Sequence, residues 1–564
     1  MPLYKSKFFW ICRGLLFCYN TFMNIKLFLI ILVCVGCLAY FGYLNNGFVF
    51  DDKILVEANP LIKSARLLPD VFRTGIYEYW SGPQPYDRMY RPLQMLSYYL
   101  DYNFWGLHPA GFRFTNLILH LLNSILVFYL IWIIFKHLWL AQASSILFLV
   151  HPVQISTVAY ISGRGDLLSA FFILAGCILF LKFLESSDYR LYFLSILAAG
   201  FALLSRENAI LIIYFLVLIG SVFARKKLKL KDLNGFFILV LVYLAVRVIA
   251  LGPSGIGIHP AYSKGLMGLV NFVNIIIRYI LLLFWPRQLR MFHTTDFIDK
   301  LTLPILGLII FGFILLAMIW ILRRKKKLPI HPCFKFGVFW FLLGLTPAGF
   351  FFDAYPALGK ALMAESWLYL PSIGFFTVLT YCCLLAKKGR LIIAAAGLIL
   401  AGLVVANRVY WRNDVVFYER VTRFLPDDNI IQKNLAAAYI QEGKFTLAYE
   451  IIKKLERYYP DSPVTYSAWG QYYLGKDQPN EALDYYQRLL GKSFFTNYSM
   501  SLCYSKLGDL DKAIEFAQAS FDLNQVYLPN IIQLVDLYQQ SGQPEEANKY
   551  FNLAKELDPQ NKEL

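Results

Sequence analysis

Apolar residues gather along the first 410 positions into runs of roughly twenty, the length a helix needs to cross a bilayer. Eleven such runs predict membrane spans at 26–44, 112–135, 138–156, 167–184, 190–205, 208–224, 234–250, 302–322, 334–351, 367–386 and 391–407. A further run, 267–285, is interrupted by Arg278 and is predicted to be a re-entrant or interfacial helix. The pattern therefore predicts an all-α fold whose residues 1–410 form a polytopic membrane bundle.

Basic clusters between these runs predict the orientation of the bundle. "RKKLKLK" at 225–231, "RRKKK" at 323–327 and "KKGR" at 387–390 are the strongest of them. Lys and Arg favour the cytoplasmic side, so these loops are placed inside. Eleven crossings then leave the N-terminus inside and the C-terminus outside. The long first loop, 45–110, faces the external compartment together with nearly every other loop that carries unusual polar residues.

The periodicity changes after a predicted linker at 411–426. Gly443, Gly475, Gly508 and Gly542 recur at intervals of about 33 residues, each followed by an alanine a few positions later. A period near 34 residues with small side chains where helices cross is typical of tetratricopeptide repeats. Residues 427–564 are therefore predicted to form about four helical hairpins that stack into a solenoid with a concave groove.

Composition agrees with a membrane protein, because 58% of the residues are hydrophobic and only 16% are charged. The net charge of +17 raises the alternative of nucleic-acid binding. However, the cations concentrate in short loops between apolar runs, which is the pattern of topology signals, and no nucleic-acid partner is predicted. The nine cysteines show no metal-ligand spacing and no disulfide framework. No small-residue cleavage site follows the first apolar run, which favours an uncleaved span.

Two adjacent carboxylates, Asp51 and Asp52, follow the first span directly. Such residues commonly cap a helix. Close to low-dielectric surroundings a carboxylate also tends to have a raised pKa, which suits a group that takes a proton from an alcohol near neutral pH. We predict a catalytic use for the pair. The two could also hold a divalent metal, although two adjacent carboxylates alone do not specify one.

Further charged residues lie in the predicted external loops. Arg91 precedes Pro92 at the start of an aromatic, amphipathic segment that is too polar to span and is predicted to lie on the external surface. Arg164 and Asp166 occupy the turn "SGRGD", where Arg164 could bind a phosphate oxygen and Asp166 could cap the next helix. For Arg206 and Glu207, at a membrane boundary, a structural ion pair and a substrate contact are equally favoured.

The remaining candidates flank apolar runs. Lys360 and Glu365 lie on the external approach to a span. His151 opens the stretch "HPVQ", and His120 lies one helical turn from Asn116 inside the second span. Polar residues within a span usually face a cavity or a partner helix. For His120 a hydrogen-bonded packing role is favoured over substrate contact.

The order of short motifs along the chain resembles one family. "DD" after the first span is followed by "YRPL", "HPVQ", "SGRGDLL", "SRENAIL", "ESWLYLPSIGF" and finally the repeats. This series is similar to that of the transmembrane and tetratricopeptide-repeat-containing O-mannosyltransferases and their bacterial relatives, within the C-type glycosyltransferase superfamily. The chain departs from the pattern at Ser156, where many relatives have Glu, and its repeat array is short.

The resemblance implies a polyprenyl-phosphate-linked sugar, normally mannose, as donor and Ser or Thr hydroxyls of exported proteins as acceptors. It also implies catalysis at acidic residues of the first external loop, here Asp51 and Asp52. No Gly-rich nucleotide-binding fingerprint follows a strand, so the residues themselves give a nucleotide-sugar donor no obvious site. The available external cations for a donor phosphate are Arg91, Arg164, Arg206 and Lys360. Supporting roles are assigned to His120, His151, Asp166, Glu207 and Glu365.

The predicted activity is thus sugar transfer on the extracytoplasmic face, in a bacterial inner membrane with periplasmic repeats or in the endoplasmic reticulum with lumenal ones. One of the aspartates removes the acceptor proton, and the cations stabilise the departing phosphate. The repeat groove is expected to position an acceptor protein. Two alternatives remain open: transfer to a lipid or polysaccharide, and a non-enzymatic, membrane-anchored repeat scaffold.

Overall fold

A computed structural model describes residues 25–81, 89–222, 228–252, 266–296, 331–350, 360–489 and 493–561. The described chain is almost entirely helical, which confirms the predicted all-α fold. Up to residue 410 its helices are α1 (Ile25–Tyr43), α2 (Glu78–Ser81), α3 (Pro92–Trp105), α4 (Pro109–Phe135), α5 (Leu138–Val150), α6 (Ile155–Val158), α7 (Arg164–Ser186), α8 (Tyr189–Ser205), α9 (Ile212–Val222), α10 (Asn234–Leu251), α11 (Leu266–Phe284), α12 (Pro332–Phe350), α13 (Ser372–Leu384) and α14 (Gly389–Asn407).

The chain is a membrane protein by the length and composition of these helices. Among the described residues, five helical stretches are long and apolar enough to cross a bilayer: Ile25–Tyr43, Pro109–Phe135, Ile161–Ser186, Leu230–Leu251 and Gly389–Trp411. Shorter apolar helices occupy the predicted spans that begin at 190, 208, 334 and 367. The predicted span 302–322 lies outside the described residues. The count of eleven crossings stays a prediction.

The predicted span 138–156 is broken rather than straight. Helix α5 and the segment Pro152–Val158 are bent by 52° at His151. Pro152 has no backbone N–H to donate and biases the residue before it away from helical dihedrals. His151 accordingly adopts an extended conformation, with φ −74° and ψ 128°. The break separates α5 from the short segment that leads into α7.

A small antiparallel ribbon interrupts the helical pattern. Strand β1 (Phe292–Asp296) pairs with β2 (Lys360–Ala364), with Phe292 opposite Ala364 and Asp296 opposite Lys360. This ribbon was absent from the predictions, because five-residue segments without clear alternation carry little strand signal. It brings the "WPRQLR" region next to Glu365, whose N–H donates to the Met291 carbonyl at 3.0 Å.

The first loop builds a separate hydrophobic core together with the start of α4 and the turn before α7. Short 3-10 and π-helical turns lie between residues 53 and 72, and helix α3 packs across them. The core residues are Phe48, Leu55, Val56, Leu61, Ile62, Val71, Ile76, Met95, Tyr98, Tyr102, Phe112 and Ile161. Burying a large apolar side chain stabilises by roughly 1.5–3 kcal/mol, so the loop is a folded platform. Leu100, Phe104 and Trp105 remain exposed on α3, as expected of a helix at the membrane surface.

After the bundle, α15 (Asp414–Thr422) occupies the predicted linker and packs on the first repeat. The solenoid contains α16 (Asn429–Gln441), α17 (Phe445–Tyr458), α18 (Pro463–Gly475), α19 (Pro479–Gln487), α20 (Phe494–Lys506), α21 (Leu510–Leu523), α22 (Leu528–Gln540) and α23 (Pro544–Leu557). These form four hairpins in the stacked order of a tetratricopeptide array.

Glycines close most of the repeat turns. Gly443, Gly508 and Gly542 have φ values of 71°, 79° and 72°, which a residue without Cβ adopts at little cost. In the second repeat Asp477 takes the left-handed position instead, with φ 60°. Gly475 itself is required for packing, because a Cβ at this position would lie 2.6 Å from Ile440 Cγ2 of the preceding repeat.

Candidate functional site

The two adjacent aspartates point to different surroundings. Phe50, just before them, has a φ of 54°, an uncommon conformation for a bulky side chain. A π-helical turn, Lys53–Glu57, follows them. These two irregularities turn successive side chains in different directions, so that Asp52 is fully buried and Asp51 is half-buried.

Asp52 ties the first loop to the start of α7. Its Oδ1 accepts hydrogen bonds from the Ser162 N–H at 2.8 Å and the Ser162 hydroxyl at 2.7 Å, and its Oδ2 accepts one from the Val49 N–H at 3.4 Å. Burial raises the pKa of Asp52 to about 6, against the opposing attraction of Arg113. The described hydrogen bonds of this carboxylate therefore hold the loop backbone at Val49 and the turn at Ser162 in place.

Asp51 is placed among groups suited to chemistry. Its Oδ2 accepts a hydrogen bond from the Tyr77 hydroxyl at 2.8 Å. Burial raises the pKa of Asp51, while the Tyr77 and Tyr160 hydroxyls and the Arg91 guanidinium act in the opposite direction. The carboxylate therefore sits near both a cation and hydrogen-bond donors, and its half-exposed position leaves access to a reacting group.

A network of charges borders Asp51. Arg91 Nε donates to Glu207 Oε2 at 3.0 Å, the Tyr90 N–H donates to Glu207 Oε1 at 2.9 Å, and Arg247 lies 4.0 Å from the same oxygen. Burial alone would raise the pKa of Glu207, but the surrounding guanidiniums lower it. Tyr90, Arg91, Arg247 and Glu207 thus lock together the start of α3, the turn after α8 and helix α10.

Arg206 belongs to the same neighbourhood. It forms an ion pair with Asp166. Burial and the nearby Arg91 lower the pKa of Arg206 to about 9. Arg206 thus has the Asp166 carboxylate as its partner and a second guanidinium, Arg91, close by, and two neighbouring guanidiniums are suited to bind the oxygens of one phosphate. The structure thus brings together five predicted residues: Asp51, Arg91, Asp166, Arg206 and Glu207.

Arg164 is not available in the same way. Its side chain has no exposed surface. Nη2 donates to Asp101 Oδ2 at 2.7 Å and to the Phe112 carbonyl at 2.8 Å, and Nε donates to Asn116. These partners fill the guanidinium fork, so the side chain joins α3, α4 and α7 rather than facing the Asp51 group.

The two predicted histidines are buried packing residues. His120 lies between the Tyr369 hydroxyl at 2.8 Å and the Leu149 carbonyl at 3.0 Å. His151 Nδ1 accepts from the Val153 N–H at 3.2 Å, and its Nε2 lies 3.0 Å from the Leu283 carbonyl. Each ring therefore satisfies both nitrogens within the bundle, in the role that was favoured for His120.

Glu365 belongs to a second group of polar side chains. Its Oε1 accepts from the Arg290 N–H at 2.7 Å and lies 2.8 Å from His293 Nε2. Among the described contacts none joins this group to Asp51 by a hydrogen bond or ion pair. Only the backbone of Lys360 is described, at the start of β2 opposite Asp296.

Three residues near Asp51 were missed. Arg247 interrupts the apolar run 234–250, and an ionisable residue inside a span is itself a signal that could have identified it. Tyr77, in the first loop, and Tyr160, in the turn before α7, carried no signal, because the chain is rich in tyrosine and only the fold selects these two. Ser156, the departure from the family pattern, is buried in α6, where its hydroxyl donates to the Val153 carbonyl at 3.3 Å.

A metal shared by Asp51 and Asp52 does not fit this arrangement. Asp52 directs both oxygens at protein donors around Ser162 and Val49, whereas Asp51 faces Tyr77. Within the part of the chain that the structure describes, no group of three or more His, Cys, Asp or Glu side chains is close enough to hold an ion.

A large cavity opens beside the aspartates. Its volume is about 1500 Å³, and it lies between the first loop and the solenoid. Phe50, Lys53 and Ile54, which flank the aspartates, form part of its floor. The cavity exceeds the roughly 300–1,000 Å³ typical of small-molecule pockets, which makes it wide enough for a polypeptide segment. Neither aspartate belongs to its lining, although their neighbours Phe50 and Lys53 do.

Comparison with known proteins gives matches to both parts of the chain. The tetratricopeptide repeat model matches residues 496–527 and 530–561. Protein O-mannosyl-transferase F38B6.6 of Caenorhabditis elegans is 24% identical over 434 residues, which cover 74% of this chain and 60% of that protein. Protein O-mannosyl-transferase Tmtc1 of Drosophila melanogaster is 32% identical over 183 residues, which cover 31% of this chain and 21% of the relative.

The chain spans less than two thirds of the length of these relatives. A solved structure, MamA 41-end from Desulfovibrio magneticus RS-1, aligns with 26% of this chain and 85% of its own at 18% identity. Its TM-score of 0.23 is too low to carry an argument.

Proposed function

We propose that the chain is a membrane glycosyltransferase acting on proteins and a member of the tetratricopeptide-repeat-containing protein O-mannosyl-transferases, to which its sequence is similar. The donor is a polyprenyl-phosphate sugar, normally mannose, and the acceptor is a Ser or Thr hydroxyl of an exported protein. The observation that carries the proposal is Asp51. It is a half-buried carboxylate with a raised pKa, beside Tyr77 and close to Arg91.

In the proposed reaction Asp51 is the general base. The acceptor oxygen attacks the anomeric carbon of the sugar, its proton passes to Asp51, and the bond from that carbon to the phosphate oxygen breaks. A raised pKa makes a carboxylate a stronger base. As long as the pKa stays below the working pH, most of the carboxylate remains ionised and able to accept the proton. Asp52, whose oxygens hold Ser162 and Val49, positions the loop.

Arg91 and Arg206 are the proposed phosphate ligands. Both are largely buried, Arg91 near Asp51 and Arg206 near Arg91, and positioned cations stabilise a departing phosphate in a low-dielectric site by several kcal/mol. Glu207 and Asp166 fix their orientation. Arg164 is proposed to be structural.

The test measures sugar transfer in proteoliposomes that contain mannosyl phosphoryl polyprenol and a Ser/Thr-rich peptide. Asp51→Asn removes the proton acceptor and should lower the transfer rate by roughly 10²–10⁴-fold, the range for a general base. Asp70→Asn is the matched control, since Asp70 lies in the same loop and accepts a hydrogen bond from Tyr79. Transfer by Asp51→Asn at the control rate would refute the assignment.

The same assay separates the alternatives. A lipid or polysaccharide acceptor would be labelled in place of the peptide, while the wide cavity beneath the repeats favours a polypeptide. If the chain is a non-enzymatic scaffold, the wild-type protein would transfer no sugar to the peptide, the lipid or the polysaccharide.

The proposed domains are 1–410 for the transferase, 411–426 as linker and 427–564 for the repeats. The solenoid contacts the loop after α1, as the Lys53–Asp414 ion pair of 2.5 Å illustrates, so both lie on one side of the membrane. We place that side in the periplasm of a bacterium or the lumen of the endoplasmic reticulum. The test uses the variant Lys512→Cys. In whole cells, an impermeant maleimide applied from outside the inner membrane should label this variant at position 512.

A further inference from the structure

The solenoid contacts the first loop at both of its ends. At the near end, Asp414 accepts a hydrogen bond from the Phe50 N–H at 3.2 Å and pairs with Lys53. The near end is also held by the Gly47 N–H, which donates to the Arg412 carbonyl at 2.9 Å. The repeats therefore begin directly above the segment that carries Asp51.

At the far end, the last hairpin returns to the same loop. Lys63 Nζ lies 3.0 Å from Asp558 Oδ2, and the Tyr102 hydroxyl donates to the other oxygen of that carboxylate. The Lys63 and Asp558 side chains are only 6% and 3% exposed. A buried ion pair is costly to leave half-made, so this contact is a specific one. We call Lys63, Tyr102 and Asp558 the latch.

Other contacts surround the latch. Arg66 forms an exposed ion pair with Glu556, and Asn524 Nδ2 donates to the Tyr79 carbonyl at 2.9 Å. Leu67 packs against the apolar cluster of the last two hairpins. The solenoid is thus an arch with both feet on the first loop, and the cavity of about 1500 Å³ lies beneath it.

The roof of the arch combines apolar side chains, such as Leu474, Phe495 and Ile532, with polar ones and carries little charge. It is lined by the first helix of each hairpin, which contributes amide and hydroxyl side chains. These are Asn434, Gln441, Ser467, Gln471, Ser493, Thr496, Ser499 and Gln533. Amides and hydroxyls both donate and accept, as peptide groups do, so this surface suits the backbone of an extended chain. Of the three lysines that line the cavity, Lys53 and Lys63 are engaged by Asp414 and Asp558, and burial lowers the pKa of the third, Lys433.

We propose that the latch closes the arch and that the acceptor passes beneath it as an extended, unfolded segment, held by its backbone. This inference rests on the proposed function. An arch fixed at both feet admits a chain only by threading of a free end or by opening of the latch. A segment flanked on both sides by folded domains is therefore excluded while the latch is closed.

The experiment fixes the latch covalently. Arg66→Cys with Glu556→Cys places two exposed thiols beside the latch, and a short bismaleimide joins them. Two acceptors carry the same Ser/Thr-rich segment, one with a free end and one with a stably folded domain at each end. Arg66→Cys alone, treated with the same reagent, is the control.

We expect the joined enzyme to keep its transfer rate to the free-ended acceptor within about twofold of the control. Its transfer to the doubly flanked acceptor should fall by at least about tenfold, a difference of about 1.4 kcal/mol. Equal transfer of the two acceptors by the joined enzyme would overturn the proposal.

A second variant tests the opposite direction. Asp558→Ala releases the latch and should raise transfer to the doubly flanked acceptor relative to the free-ended one. An unchanged ratio would also overturn the proposal. Failure of the proposed function looks different, because the wild-type enzyme would then transfer no sugar to the free-ended acceptor.

Discussion

Because the carboxylate of Asp52 is buried, its titration should make the folded protein less stable as the pH rises. Burial raises the pKa of Asp52 from an ordinary value of 3.8 to about 6. The folded state therefore binds this proton more tightly than the unfolded state does. The stabilisation that this proton provides is fully present below pH 3.8 and is lost as the pH rises through 6. At 1.36 kcal/mol per pKa unit, the loss amounts to about 3 kcal/mol.

Asp52→Asn removes that titration while conserving the shape of the side chain. The amide oxygen can still accept from Ser162, whereas the new amide group faces the Val49 N–H and the attraction to Arg113 is lost. The absolute stability of the variant thus depends on opposing effects. Its pH dependence does not, since no proton is taken up at this position.

The assay is the free energy of unfolding of both proteins in detergent between about pH 4 and pH 7. The wild-type value minus the variant value should fall by about 2.4 kcal/mol across this range, most of the full 3 kcal/mol, and level off above about pH 6.5. Other groups titrate in both proteins and cancel in the difference. A difference that stays constant with pH would refute the burial argument for Asp52.

Two further predictions concern the packing around the site. Arg164→Gln should destabilise the fold by about 3–5 kcal/mol in the same unfolding measurement, since it removes the cation from the buried carboxylate of Asp101 and leaves it only the Thr115 hydroxyl. Exposed Arg190→Gln should change the free energy of unfolding by less than about 0.5 kcal/mol, and equal effects would contradict the structural role of Arg164. Gly163→Ala should cost about 1–3 kcal/mol, because the new Cβ would lie 2.4 Å from the Thr157 carbonyl oxygen. Gly402→Ala should be neutral or stabilising in thermal unfolding, because a Cβ at this position would have no atom within 4 Å. A larger loss of stability for Gly402→Ala than for Gly163→Ala would contradict the packing at these two positions.

The sequence predicts the parts of this fold that depend on local pattern. Long apolar runs become helices such as α4 and α7, and the recurring glycines mark the repeat turns. The ribbon of β1 and β2 escapes prediction, because its strands are short and 63 residues of chain separate their ends, from Asp296 to Lys360. Pairing over that distance is decided by tertiary contacts rather than by local preference.

The candidate site was predictable as a set of loops but not as individual roles. Arg91, Arg164 and Arg206 look alike in the sequence, since each is a cation near the end of a span. Their difference arises from burial and partners: Arg164 is enclosed by Asp101 and its neighbours, whereas Arg91 borders Asp51 and Arg206 lies beside Arg91. Only the packing of α3 against α4 and α7 distinguishes them.

Phe50 connects the repeats with the carboxylate at the site. A bulky residue with φ 54° is strained by an amount on the order of 1–3 kcal/mol, which the surroundings must offset. Asp414 accepts from its N–H, and the rings of Phe417 and Tyr418 lie 5.9 and 6.4 Å from its own. These stabilising groups all belong to α15, which leads into the solenoid. The repeat domain therefore helps to hold the bend that turns Asp51 away from Asp52, and its foot on the loop is part of the structure that orients the proposed base.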